Sequence, residues 1–155
     1  YMFDNEQQAP FPATFNKNIL GIQNIINTNN IISIGCCQET TFMLDNKNIL
    51  TGYGNDLITF DDSYTIHKIT SLKIDKFNCG EYHLGLLTTN GDVYMYGYNK
   101  HWQCGLNNND YKHDYCNFNR ININNDTIMD VKCGDRHTII KTINSNKIKY
   151  YSFGE

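Results

Sequence analysis

The sequence predicts an all-β protein made of repeated antiparallel sheets. Three observations lead there: a composition rich in strand formers, short apolar runs with a period of two, and a pattern that recurs about every 50 residues. The 155 residues include 19 Ile, 11 Tyr and 8 Phe but only two Ala. β-Branched and aromatic side chains pack well on a pleated surface, and scarce Ala removes the best helix former. Asn, at 23 residues, is as over-represented as Ile. Asn, Ile, Lys, Tyr and Phe share AT-rich codons, so Asn in the loops reads as coding bias, not as chemistry.

The elements follow in chain order. The stretch Tyr1-Met2-Phe3-Asp4-Asn5 resembles Tyr94-Met95-Tyr96-Gly97-Tyr98, with Asp4 in the place of the glycine. From Gly21 to Ile34 isoleucines are frequent, but the intervening Asn residues and the β-branching weaken a helix. Ile32, Ile34 and Cys36 alternate, as do Met129, Val131 and Cys133, which predicts a strand in each case. After the strand ending at Cys79 comes a Gly-x-x-His turn, Gly80 to His83, and a second apolar run, Leu84 to Thr89. Asn90-Gly91 predicts a type I′ hairpin turn, and Val93 to Gly97 returns as a third strand. A polar loop follows, and Ile121-Asn122-Ile123 is a short fourth strand candidate.

Sliding the segment 77–97 back by 43 places Cys79 on Cys36, Leu87 on Leu44 and Tyr96-Gly97 on Tyr53-Gly54. Sliding it forward by 54 places Cys79-Gly80 on Cys133-Gly134 and His83 on His137. Three further residues, assigned to a loop around Asn144-Ser145-Asn146, bring Tyr96-Gly97 onto Phe153-Gly154. The periods run about 5–54, 55–97 and 98–154. Sheets of three to four antiparallel strands at this spacing are propeller blades.

The middle repeat, Cys79-Gly80-x-x-His83, Leu86-Leu87-Thr88, Asn90-Gly91-Asp92-Val93-Tyr94-x-Tyr96-Gly97-x-Asn99 and Gln103-x-Gly105-Leu106, resembles the repeat of the regulator of chromosome condensation (RCC) family. The third repeat keeps much of it. The first departs, with Cys36-Cys37 for Cys-Gly, Thr40 for His and Asn48 for the turn glycine. In the middle repeat Trp102 stands where the family has glycine and Cys104 where it has leucine. The resemblance implies a seven-bladed β-propeller. Three repeats do not close such a ring and would leave bare blade faces. The chain, starting at Tyr1 and ending at Glu155 after an apolar run, therefore reads as a segment of a longer protein.

Recurrence points to structural roles. Cys36, Cys79 and Cys133 recur once per repeat and read as small buried residues between blades. Gly80 and Gly134, with His83 and His137, define the turn, where the histidine is expected to order the backbone by hydrogen bonding. Gly91 marks the hairpin, and Gly54, Gly97 and Gly154 mark tight strand ends. Six cysteines without any C-x-x-C carry no zinc pattern, and free thiols in a reducing, intracellular compartment are expected. Asp135-Arg136-His137 lacks a partnered Ser or Cys nucleophile, and Asp56, Asp61 and Asp62 lack a calcium-loop register. No catalytic residue, metal or cofactor is expected.

Partner-binding candidates lie in two loop stretches. The only Trp, Trp102, falls in an inter-strand loop beside His101, and Trp is enriched in binding hot spots. The loop from Asn107 to Asn119 adds Tyr111, His113 and Tyr115. A net charge of −3 argues against a basic nucleic-acid face, and no uncharged apolar run reaches the roughly 18 residues of a membrane span. The expected function is a protein–protein interaction scaffold, with further blades from the same or another chain. The resemblance also implies a guanine-nucleotide exchange factor for a small GTPase as an alternative. A structural subunit of a large assembly is the third reading.

Overall fold

The computed structural model of the chain describes residues 30–38, 40–54, 66–106, 115–123 and 125–155. They form eleven strands and no helix. The first sheet contains β1 (Ile31–Cys37), β2 (Thr40–Asp45), β3 (Leu50–Gly54) and β4 (Ile66–Lys68). The second contains β5 (Ile74–Cys79), β6 (His83–Thr88), β7 (Val93–Tyr98) and β8 (Tyr115–Ile121). The third contains β9 (Thr127–Cys133), β10 (His137–Asn144) and β11 (Lys147–Gly154). Each sheet is an antiparallel meander in chain order, which is the topology of a propeller blade. The first two sheets take their fourth strand from beyond the aromatic-glycine marker, at Ile66–Lys68 and Tyr115–Ile121. The loop expected to run to Asn119 is therefore strand from Tyr115 onward.

The blades stack face to face through two apolar layers. Leu84, Leu86 and Tyr96 of the second blade pack with Cys37, Phe42, Leu44 and Leu50 of the first. Leu87, Val93 and Met95, on the opposite face, pack with Val131 and Ile140 of the third. Burial on both faces explains the uninterrupted burial of β6. At Gly85 a Cβ atom would lie 2.6 Å from a methyl of Val131, so close blade contact requires glycine there.

The third blade buries one face, whereas in the first blade β2 and β3 are buried on both faces and the exposed side chains lie on β1. In β10, Thr138, Ile140 and Thr142 are buried toward the second blade while Ile139 is exposed. Ile148 and Tyr150 of β11 are also exposed. In β1, Ile32 and Ile34 are 61% and 72% exposed, and Cys36 is exposed with them. β1 forms where the alternation of Ile32, Ile34 and Cys36 predicts a strand, but a register shift between Ile31 and Ser33 interrupts its pairing, its burial does not alternate, and Cys36 is not a buried residue. The buried thiols are Cys37, Cys104 and Cys116, and all six cysteines are free.

The hairpins differ from the expected turn. Gly91 N donates to Thr88 O at 2.9 Å, and only Gly91 has positive φ, at 83°. This is a type I turn closed by a left-handed residue, not type I′. Asn48 takes the same place in the first blade with φ 63°, a conformation Asn tolerates better than most residues. The type I′ turn occurs in the third blade, where Ser145 and Asn146 both have positive φ between the paired residues Asn144 and Lys147. There the three extra residues lengthen β10 and β11 to eight residues each instead of forming a loop. Asp126 secures this long hairpin by accepting hydrogen bonds from Thr142, Asn144, Lys149 and Tyr151.

Candidate functional site at the rim between the second and third blades

Two sequence markers meet at one rim. In the Gly-x-x-His turn, Gly80 N donates to His83 O and Gly134 N to His137 O, each at 2.8 Å. A Cβ at Gly80 or Gly134 would overlap the ring of the histidine three residues on, so glycine and histidine are required together. The strand ends then fold onto these turns. Tyr98 N donates to Tyr82 O at 2.8 Å, and Glu155 N to Arg136 O at 3.0 Å. Gly97 and Gly154, at φ 109° and 99°, permit this approach; a Cβ on Gly97 would sit 2.5 Å from Tyr82 O. Each blade thus presents the two residues inside its turn at the rim.

These residues, from neighbouring blades, enclose an open cavity of about 300 Å3. Its lining is Tyr82, Tyr98, His101, Gln103, Tyr115, Asp135 and Arg136. Tyr98 is central, with ring centroids 6.1 Å from Tyr82, 6.1 Å from His101 and 5.5 Å from Tyr115. His101 Nδ1 lies 2.9 Å from Glu155 Oε2, and Arg136 Nε lies 3.7 Å from Asp135 Oδ2. Glu81 neighbours Asp135, and the contact between the two carboxyl groups pushes the Glu81 pKa up.

The loop from Asn99 to Gly105 supports this wall. Asn99 Oδ1 accepts from Cys104 N at 2.9 Å, and Gln103 Oε1 accepts from His101 N at 3.0 Å. Gln103 O in turn accepts from Thr138 Oγ1 of the third blade at 2.7 Å. Trp102, between two residues that line the cavity, is 48% exposed and has φ 66°. Glycine, which the resemblance implies at this position, adopts that left-handed conformation freely, and here a bulky residue is held in it.

Of the expected partner-binding residues, His101 and Tyr115 line the cavity and Trp102 stands beside it; Tyr111 and His113 lie outside the described residues. So do Asp56, Asp61, Asp62 and the start of the chain. Tyr82, Tyr98, Gln103, Asp135 and Arg136 were not singled out as binding residues. For Tyr82, Tyr98, Asp135 and Arg136 the signal lies in the repeat, where they vary inside or next to markers that stay constant, whereas Gln103 is itself a position of the repeat motif. His83 does not serve the backbone of its own turn through its side chain. Its Nε2 lies 2.9 Å from Thr138 Oγ1 in the next blade, and burial lowers its pKa to about 4. His137 is exposed on the outer face of the third blade. Among the described residues, no group of three or more His, Cys, Asp or Glu is placed to hold a metal ion, and no helix is long and apolar enough to cross a membrane.

Stacked antiparallel meanders of three and four strands define β-propeller blades. Residues 90–140 match the family model of the Regulator of chromosome condensation (RCC1) repeat. Three solved structures share the fold. Yeast RCC1 (Prp20), in a crystal structure bound to Kap60, aligns with TM-score 0.66 and 18% identity over 83% of this chain and 30% of that one. Human WBSCR16 aligns with TM-score 0.70 and 10% identity over 91% and 38%. Prp20p from Saccharomyces cerevisiae, in a structure whose report concerns its binding to Gsp1p and histones, aligns with TM-score 0.61 and 19% identity over 81% and 33%. The chain therefore spans 30–38% of the length of these proteins. The comparison with curated protein sequences gave no match.

Proposed function

We propose that the chain is part of a larger RCC1-type propeller that works as a protein-interaction scaffold, docking a protein partner at the rim beside Trp102. The observation that carries this reading is Trp102 itself. A half-exposed Trp held at φ 66° costs backbone energy that folding does not require, since glycine would fit. Strain of this kind collects at functional sites, and Trp is the side chain most suited to anchor a partner. The exposed faces at Ile32 and Ile34 and at Ile139, Ile148 and Tyr150 support the presence of further blades. This function uses no catalytic residue, cofactor, nucleic acid or membrane, and free thiols suit an intracellular setting.

The test is a photo-crosslinking residue placed at position 102 in the full-length parent protein, in its own cells. A defined protein adduct supports docking at this rim. Adducts from a control position on the same protein but none from position 102 count against it.

The likeness to Prp20p, whose report concerns binding to Gsp1p, supports a second reading as a guanine-nucleotide exchange factor. Stimulated release of bound nucleotide from a small GTPase by the full-length protein is its measurement.

A further inference from the structure

Resting on the docking reading above, we propose that the cavity between the second and third blades receives a cationic side chain, lysine or arginine, from the docked protein segment. The walls are aromatic: Tyr82, Tyr98, His101 and Tyr115 line the cavity, with Tyr98 in edge-to-face or tilted contact with the other three at interplanar angles of 60°, 63° and 58°. Tyrosine faces attract ammonium and guanidinium groups through the ring quadrupole. The charge at the mouth has the complementary sign. Glu81, Asp135 and Glu155 stand against Arg136 and His101, and each of the two basic groups already has a carboxylate partner. The carboxyl groups of Glu81 and Asp135 are in hydrogen-bonding contact, so an incoming cation meets two acidic side chains at one place. An anionic or purely apolar side chain finds neither match. The cavity is open, and the exposed Trp102 follows its wall in the chain, so the cation is best supplied by a longer segment that also covers the indole.

The experiment uses the full-length parent protein and fluorescein-labelled nine-residue peptides of neutral sequence. Their central residue is Lys, Arg, acetyl-lysine or Glu, and binding is read by fluorescence anisotropy. Glu81→Gln and Asp135→Asn on the exposed rim alter charge with little change of shape. Tyr98→Phe keeps the ring and controls for the phenol.

The Lys and Arg peptides are expected to bind at least about three-fold more tightly than the acetyl-lysine and Glu peptides. The Glu81→Gln/Asp135→Asn double variant and raised salt should both remove that preference, while Tyr98→Phe retains it. Equal binding of all four peptides overturns the proposal, and so does a preference untouched by the double variant. No binding by any peptide, with crosslinks from position 102 still formed, overturns the cation pocket and leaves the docking reading standing. Loss of both overturns both.

Discussion

The imidazole Nε2 of His83 lies 2.9 Å from the hydroxyl Oγ1 of Thr138, joining the second blade to the third through two buried side chains. Thr138 gives its own proton to Gln103 O at 2.7 Å, so the hydroxyl accepts from His83, which therefore carries its proton on Nε2. One short chain thus links the turn of one blade, a strand of the next, and the loop that holds Trp102.

Thr138→Val should break both bonds at once and leave two buried polar groups without partners. The expected loss is about 1–3 kcal/mol, measured by urea unfolding. Thr138→Ser keeps the hydroxyl and should lose much less.

Acid should weaken the same joint. Burial lowers the pKa of His83 from 6.5 to about 4, so the unfolded chain takes up a proton more readily than the folded one. The stabilising contribution is fully present above pH 6.5 and is lost as pH falls toward 4. The loss across this window is about 3 kcal/mol. Unfolding curves of the His83→Asn variant should be less stable at pH 7 and flatter between pH 6.5 and 4. A slope equal to that of the unmodified protein would exclude His83 as its source.

The first blade shows the same joint with its parts exchanged. Cys37 stands at the position of Gly80, and Thr40 at the position of His83. The partner position in the next blade is Leu84, which offers no hydroxyl. Cys37 is buried and its thiol reaches His83 O at 3.5 Å. Thr40→His alone should be destabilising, because a side chain at position 37 conflicts with an imidazole there, as the Gly80 geometry shows. Adding Cys37→Gly should recover part of the loss, with a coupling of about 1 kcal/mol in a double-mutant cycle. The double variant stays below the parent in stability, since its histidine faces Leu84.

Trp102→Gly should separate stability from binding. Glycine relieves the left-handed conformation, for an expected gain of about 0.5–1 kcal/mol in thermal unfolding. The same change should abolish partner capture by the full-length protein. A variant that is more stable and still captures the partner would remove Trp102 from the docking face.

Much of the fold was legible because backbone geometry restricts residue choice. Gly97 and Gly154 recur since only glycine fits against the carbonyl of the turn, and His83 and His137 recur with Gly80 and Gly134 for the same steric reason. Alternation located β1 and β9 because side chains on a strand point to opposite faces in turn. Hairpin geometry was less legible: Asn90-Gly91 is compatible with two turn types, and pairing register, not local preference, selected between them.

The sequence by itself determined the repeats, their spacing and the strand-by-strand character of the chain, because these depend on local sterics and on the period of apolar residues. Only the tertiary structure decided which faces are covered, that Cys36 is exposed while Cys37 is buried, and that Tyr82, Tyr98 and Arg136 share one cavity. Tyr82 and Arg136 are 54 residues apart, and face-to-face packing of whole sheets is what brings their two turns together. That packing follows from the summed burial of Leu87, Val93, Met95, Val131 and Ile140, a collective property that no single stretch of sequence carries.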